Sequence, residues 1–176
     1  DIIIKDRTGE GVINDEDRTV IGNSIPRFTF GLNLGFEYKG FDFSCFFQGV
    51  GKADGYVTME AIQPMGINGA RKEHYKEPFN PQDPKPGAYF PRILSSDYNY
   101  AYMSHWVQDA SYIRLKNLQI GYSFKIKGLN QLRVYASGEN LFTATKYRTW
   151  DPETPVGARG FYPNVAVYSM GVNLNF

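Results

Sequence analysis

A chain of 176 residues with a single cysteine, Cys45, has no internal disulfide and no paired-thiol metal or redox site. Its 19 Lys and Arg stand against 18 Asp and Glu, a net charge of +1 scattered without a basic stripe, which gives a nucleic-acid partner no footing. Aromatic residues make up 16% of the chain beside 18 Gly, a composition of strands and turns, and no run of about 18 apolar residues offers a membrane helix, although a barrel strand needs only about 9–11 alternating ones.

The opening stretch, residues 1–27, reads as a loop, and its start on Asp1 without a leader reads as an excerpt from a longer chain. Within it, DRTGEGVINDED can be set against the calcium loop of an EF-hand. Asp6 takes the first position, Thr8 the third, Glu10 the fifth, Gly11 the sharp turn, Val12 the carbonyl position, Asn14 the ninth and Asp17 the last. Oxygen ligands spaced by two are what a hard cation needs. The motif departs from the pattern at Thr8, where Asp or Asn is usual, at Glu10, one methylene too long, and at Asp17, which replaces a bidentate Glu. The expectation is a structural calcium site at Asp6, Thr8, Glu10, Val12 and Asp17; an ordinary solvated acidic turn at Asp15, Glu16 and Asp17 is the alternative.

From Phe28 to Tyr38 apolar and small polar residues alternate without an error, which predicts a strand with two distinct faces. Lys39-Gly40 then supplies a two-residue turn, and Phe41 to Val50 continues as a hairpin partner with Phe46 as its one intruder. Residues 52–105 break the pattern: six of the 10 prolines fall there (Pro64, Pro78, Pro81, Pro84, Pro86 and Pro91), and aromatic residues gather towards its end. A loop of that length points to function or disorder. In the third strand, YIRLKNLQIGYSF, Ile113 and Leu115 are out of phase with Leu118, Ile120, Tyr122 and Phe124, and a bulge near Lys116-Asn117 would return them to one face. A short turn leads to the fourth strand, LRVYASGENLF, a second long loop runs from Thr143 to about Val165, and Tyr168, Met170, Val172, Leu174 and Phe176 share one side of the last strand.

Long and short connections alternate strictly, as in antiparallel transmembrane barrels with short periplasmic turns and long outer loops. Five strands cannot close such a barrel and would leave two open edges in lipid, so the rest must come from other residues. Aromatic residues at both ends of the first strand resemble interfacial girdles. The same alternation also fits a soluble sandwich with its apolar face inside, and pattern alone leaves both open.

Several stretches together resemble one family. VQDASYIRLKNLQIGYSF, LRVYASGENLFTATKY followed by Asp151-Pro152-Glu153, and YPNVAVYSMGVNLNF are similar to the C-terminal part of TonB-dependent outer-membrane transporters of the SusC/RagA type, and GVINDEDRTVIGNSIPRFTFGLNLGFEYKGFDFSCFFQGVG to the strands before it. The resemblance implies an all-β fold in which residues 28–176 are the C-terminal strands of a barrel of about 22 strands, residues 1–27 an extracellular segment, and a plug domain lies elsewhere. It further implies the bacterial outer membrane, a SusD-like surface lipoprotein as partner, TonB as energy source, and import of oligosaccharides or peptides. Tyr168, Met170, Val172, Leu174 and Phe176 then resemble the signal by which a final strand is recognised for outer-membrane assembly.

Catalysis finds no motif: His74 and His105 are the only histidines, and neither a nucleophile elbow nor a phosphate loop is present. Sugars offer polar edges and apolar ring faces, which makes Tyr98, Tyr100, Tyr102 and Trp106, and separately Trp150, Asp151, Arg159 and Tyr162, the candidate substrate contacts. Packing of loop against loop, against the lipoprotein or at the membrane interface would use the same aromatics. A soluble carbohydrate-binding β-domain and a passive outer-membrane porin are the rival functions.

Overall fold

The computed structural model of the protein describes residues 2–57, 62–63, 72–76, 79–83, 87–92, 97–154 and 162–176. Its strands are β1 (Phe28–Tyr38), β2 (Phe41–Gly51), β3 (Asp54–Tyr56), β4 (Val107–Asp109), β5 (Tyr112–Phe124), β6 (Gln131–Thr145) and β7 (Val167–Asn175). The five long ones form a single antiparallel sheet in the order β1-β2-β5-β6-β7. The short β3 and β4 pair with each other. They escaped the periodicity reading because three residues are too few to show a period.

Register explains the two faces. Leu34 lies opposite Cys45, Cys45 opposite Leu118, Leu118 opposite Gly138 and Gly138 opposite Tyr168, so one apolar side runs unbroken across all five strands. The expected bulge is present: the β5–β6 register shifts between Leu115 and Asn117, which brings Ile113 and Leu115 onto the face of Leu118 and Ile120. At the first hairpin both turn residues take positive φ, 48° at Lys39 and 88° at Gly40, the combination whose twist matches that of the flanking strands.

The apolar side is bare. Phe30 is 43% exposed, Leu34 50%, Leu174 55% and Phe176 83%. A soluble sandwich would bury these side chains against a second sheet; here they form the outward face of an antiparallel barrel wall that these strands do not close, since β1 and β7 each have one partner. Among the described residues no helix is long and apolar enough to cross a membrane, which does not bear on crossing by strands.

The chain divides into two compact units, one holding the five-stranded sheet, the other built from the segment up to Gly22 and from Tyr56–Val107. The second has its own aromatic core. Trp106 and Val57 are fully buried, with Ile62, Tyr100, His74 and Asn99 at 2% exposure or less. Trp106 donates from its indole nitrogen to the Asn99 carbonyl (2.9 Å), and its backbone carbonyl accepts from Val57 (3.1 Å). His74, on the short helix α1 (Lys72–Lys76), meets the Phe90 ring edge-on at 4.6 Å. The long interruption that reads as a loop in the sequence is thus in large part a small packed body, held by aromatic contacts with no period to announce them.

Candidate functional site

Two polar constructions and one set of aromatics hold the residues that the sequence singled out. The first is the acidic segment. Gly9 and Gly11 take φ of 79° and 82°, which wraps the backbone around the Asp6 carboxylate. That carboxylate accepts from the Gly9 amide (2.6 Å) and the Gly11 amide (2.7 Å). The Asp17 carboxylate accepts from Arg7 (2.7 Å) and Thr8 (3.1 Å) on one oxygen and from Asn14 (3.0 Å) on the other. Asn14 caps the short 3₁₀ turn Asp15–Asp17 by accepting from the Glu16 amide (2.7 Å). Three backbone amides, that of Asn14 foremost, hold the Asp17 carboxyl down to about 2.

The Thr8 hydroxyl lies 3.2 Å from Asp6, 3.3 Å from Glu10 and 3.4 Å from Asp17. One hydroxyl proton serves only one of these carboxylates at a time, so three anionic oxygens crowd around a single donor. Val12, whose carbonyl was expected as a ligand, has an exposed side chain. Among the described residues no group of three or more Asp, Glu, His or Cys is set to hold a metal ion as it stands. A cation would have to draw these carboxylates inward.

The second construction lies on the polar side of the sheet. Arg133 on β6 reaches over β5 to Asp42 on β2, donating from Nε to Oδ2 (2.9 Å) and from Nη2 to Oδ1 (2.5 Å). Gly121 lies beneath this pair, where a β carbon would run into both partners. The guanidinium also lies 4.8 Å from the Tyr135 ring centre. Near the opposite end of β5, Arg114 has a side chain only 2% exposed and faces Asp151 at 2.7 Å and Glu153 at 3.0 Å. Lys116 joins the same Glu153 oxygen at 2.7 Å.

The aromatics sort by burial. Trp106 and Tyr100 were expected at a ligand surface, and this is corrected: both are enclosed in the core of the smaller unit, where other rings and the Asn99 carbonyl surround the indole. Tyr102 is 87% exposed, stacks on Tyr56 at 5.1 Å, and lines an open hollow of 1270 Å³ with Ile4, Ile13, Tyr89 and Met103. Tyr162 is also exposed, and Trp150 is half-buried. The Tyr98 side chain and Arg159 lie outside the described residues. Asp151, expected as a sugar contact, has its carboxylate occupied by Arg114. Tyr168, Met170, Val172 and Leu174 share the exposed apolar face of β7, and Phe176, just beyond its end, is exposed too.

Sequence reasoning missed Arg114, Lys116, Glu153, Asp42 and Arg133. A signal was present for some of them: charges at Asp42 and Arg133 sit on the polar phase of their strands, and Asp-Pro-Glu-Thr is a turn sequence before it is anything else.

No family model matches the sequence. The chain is similar to TonB-dependent receptor P3 of Formosa agariphila, 36% identical over 196 residues, covering 99% of this chain and 19% of that protein. It is similar to TonB-dependent receptor SusC of Bacteroides thetaiotaomicron as well, 27% identical over 180 residues, covering 97% of this chain and 17% of the other. Among solved structures, the RagAB peptide transporter superposes with a TM-score of 0.76 at 23% identity over 94% of this chain and 19% of the other, a likeness of fold. The chain therefore spans about a fifth of the length of the relatives it matches, and over nearly all of its own length it is homologous to TonB-dependent receptors, SusC among them.

Proposed function

We propose that this stretch of a SusC/RagA-type barrel wall serves the TonB-dependent import of oligosaccharides or peptides across the bacterial outer membrane, as one wall segment of a transporter that works with a SusD-like surface lipoprotein and performs no catalysis. The observation that carries the reading is the apolar face that runs over all five strands and lies bare along β1, β5, β6 and β7, backed by a polar face with Asp42, Arg133, Arg114 and Lys116. Lipid on one side and an aqueous passage on the other are the surroundings that match those two faces. Contact with TonB belongs to a part of the transporter other than these residues. Tyr102, Trp150 and Tyr162 are the aromatic candidates for ligand contact among those expected.

The acidic segment fits into this reading as a calcium site that stiffens an outer loop, with Asp6, Thr8, Glu10, Asp17 and the Val12 carbonyl as ligands. Three carboxylates crowded around the Thr8 hydroxyl support it. The set Tyr168, Met170, Val172, Leu174 and Phe176 fits as the assembly signal, its side chains exposed on the apolar side at β7 and just beyond it.

Import is tested in outer membranes carrying the full-length protein and its lipoprotein, with labelled oligosaccharides and short peptides offered in parallel. Uptake of one class that stops when the proton gradient is collapsed is the expected result. Uptake that survives the uncoupler would mean a passive porin. A fragment that is monomeric in plain buffer without detergent would mean a soluble binding domain, and would overturn the proposal.

A further inference from the structure

Beyond β6 the chain makes a turn whose residues carry separate tasks. The Asp151 carbonyl accepts from the Thr154 amide (2.9 Å), which closes a β-turn with Pro152 in the second place, where its fixed φ suits the bend. One Asp151 carboxylate oxygen accepts from the Glu153 amide (2.9 Å), and the other accepts from Arg114 Nη2 (2.7 Å). A single carboxylate thus shapes the turn and ties it to β5. Glu153 brings Oε2 to Lys116 (2.7 Å), to Arg114 Nη1 (3.0 Å) and to the Asn164 amide nitrogen (2.5 Å). Asn164 lies on the far arm of the same β6–β7 loop, so both arms meet at Glu153.

Further attachments hold the near arm. Gln108 donates to the Thr149 hydroxyl (3.0 Å) and accepts from the Arg148 amide (2.9 Å), and Tyr147 is buried over Gly55. Arg114 suits the centre of this arrangement for a geometric reason. Its planar fork reaches Thr143 (2.7 Å), Asp151 and Glu153 together, which a lysine's single ammonium cannot do from one position. Two cations and two carboxylates balance the charge.

We propose that Arg114 is a positioning residue that, with Lys116, locks the Asp151–Thr154 turn onto the polar face of β5, so that the near arm of the β6–β7 loop, up to Thr154, stands as a fixed shelf that ligand does not move. Asp151 and Glu153 are then occupied in holding the loop, and ligand selection falls to other groups. The lock does not depend on which solute is carried, nor on whether transport is coupled to TonB.

The test is tryptic cleavage at Arg148 in the full-length protein, assembled in outer membranes and free of solute, with barrel integrity read separately from heat-modifiable migration on a gel. Arg114→Met nearly keeps the volume and removes the charge, leaving the enclosed Asp151 carboxylate without its cation and Glu153 with Lys116 alone. It is expected to raise the cleavage rate about tenfold or more while the barrel stays assembled. Arg114→Lys is expected to restore part of the protection, which a role in packing alone would not predict. If Arg114→Met prevents assembly, Glu153→Gln with Arg114 intact reads the same lock and is expected to expose Arg148 in its place. Cleavage of an assembled variant at the wild-type rate overturns the proposal, as does wild-type cleavage that changes severalfold when the oligosaccharides or peptides of the import assay are added.

Discussion

Arg133 grips Asp42 across the intervening strand because Gly121 leaves the space between them open. The pair ties β2 to β6 over the back of β5, and the absent side chain at Gly121 lets it lie flat. Gly121→Ala is expected to force Arg133 and Asp42 apart and to cost about 1–3 kcal/mol of barrel stability. Arg133→Gln should cost a similar amount, and the double variant little more than either alone, since both changes remove one interaction. Urea titration of the folded barrel in lipid measures this cycle; strict additivity would mean that Gly121 and the ion pair are independent.

The two faces of β1 give a sharper contrast. Leu34 lies on the bare apolar side opposite Cys45, while its neighbour Asn33 points to the other side. Leu34→Arg is expected to destabilise the inserted barrel by about 2–4 kcal/mol if the residue sits near the middle of the bilayer. Asn33→Arg, one position away, should leave the assembled fraction close to wild type, because it adds a cation to a polar wall. Equal losses from both substitutions would contradict the assignment of faces.

Much of this wall was legible in the sequence, and the reason is periodicity. Alternation from Phe28 to Tyr38 fixes a strand and its faces, and the phase slip between Leu115 and Leu118 reports a bulge that the register confirms. What alternation cannot report is contact between residues far apart in the chain. Nothing in the local sequence ties Arg114 to Asp151 or Asp42 to Arg133, because each pair depends on strand neighbours being set by the whole sheet. Trp106 misled for a related reason: an aromatic in a long proline-rich stretch looks like an exposed contact until other rings close around it.

Asp17 makes the acidic segment sensitive to acid. Its carboxyl is held near 2 in the folded chain by three amides, whereas an unstructured Asp titrates near 3.9. A depressed folded value means the carboxylate's contribution is fully present above about pH 4 and is lost as the pH falls towards 2. Amide exchange at Arg7, Thr8 and Asn14 is therefore expected to be slow and level in protection from pH 7 down to about 4, with protection lost between 4 and 2. Asp17→Asn should remove that acid step. A step centred above pH 5 would assign the protection to some other group.

Calcium acts on the same segment from the opposite direction. Asp6, Glu10 and Asp17 converge on the Thr8 hydroxyl, and the mutual repulsion of three carboxylates opposes the wrap that Gly9 and Gly11 permit. A bound divalent ion would turn that repulsion into attraction. Millimolar calcium is accordingly expected to slow trypsin cleavage at Arg7 and Arg18 by about tenfold, and a chelator to restore it. Glu10→Gln removes one anionic ligand while keeping the one oxygen that accepts from the Thr8 hydroxyl and the Asn14 side chain, so it should weaken the calcium effect and leave protection without calcium nearly unchanged. Magnesium separates ion binding from charge screening: it demands six ligands at shorter range and sheds water reluctantly, so at the same concentration it should give much less protection. Protection equal in both ions would reduce the calcium effect to ionic strength.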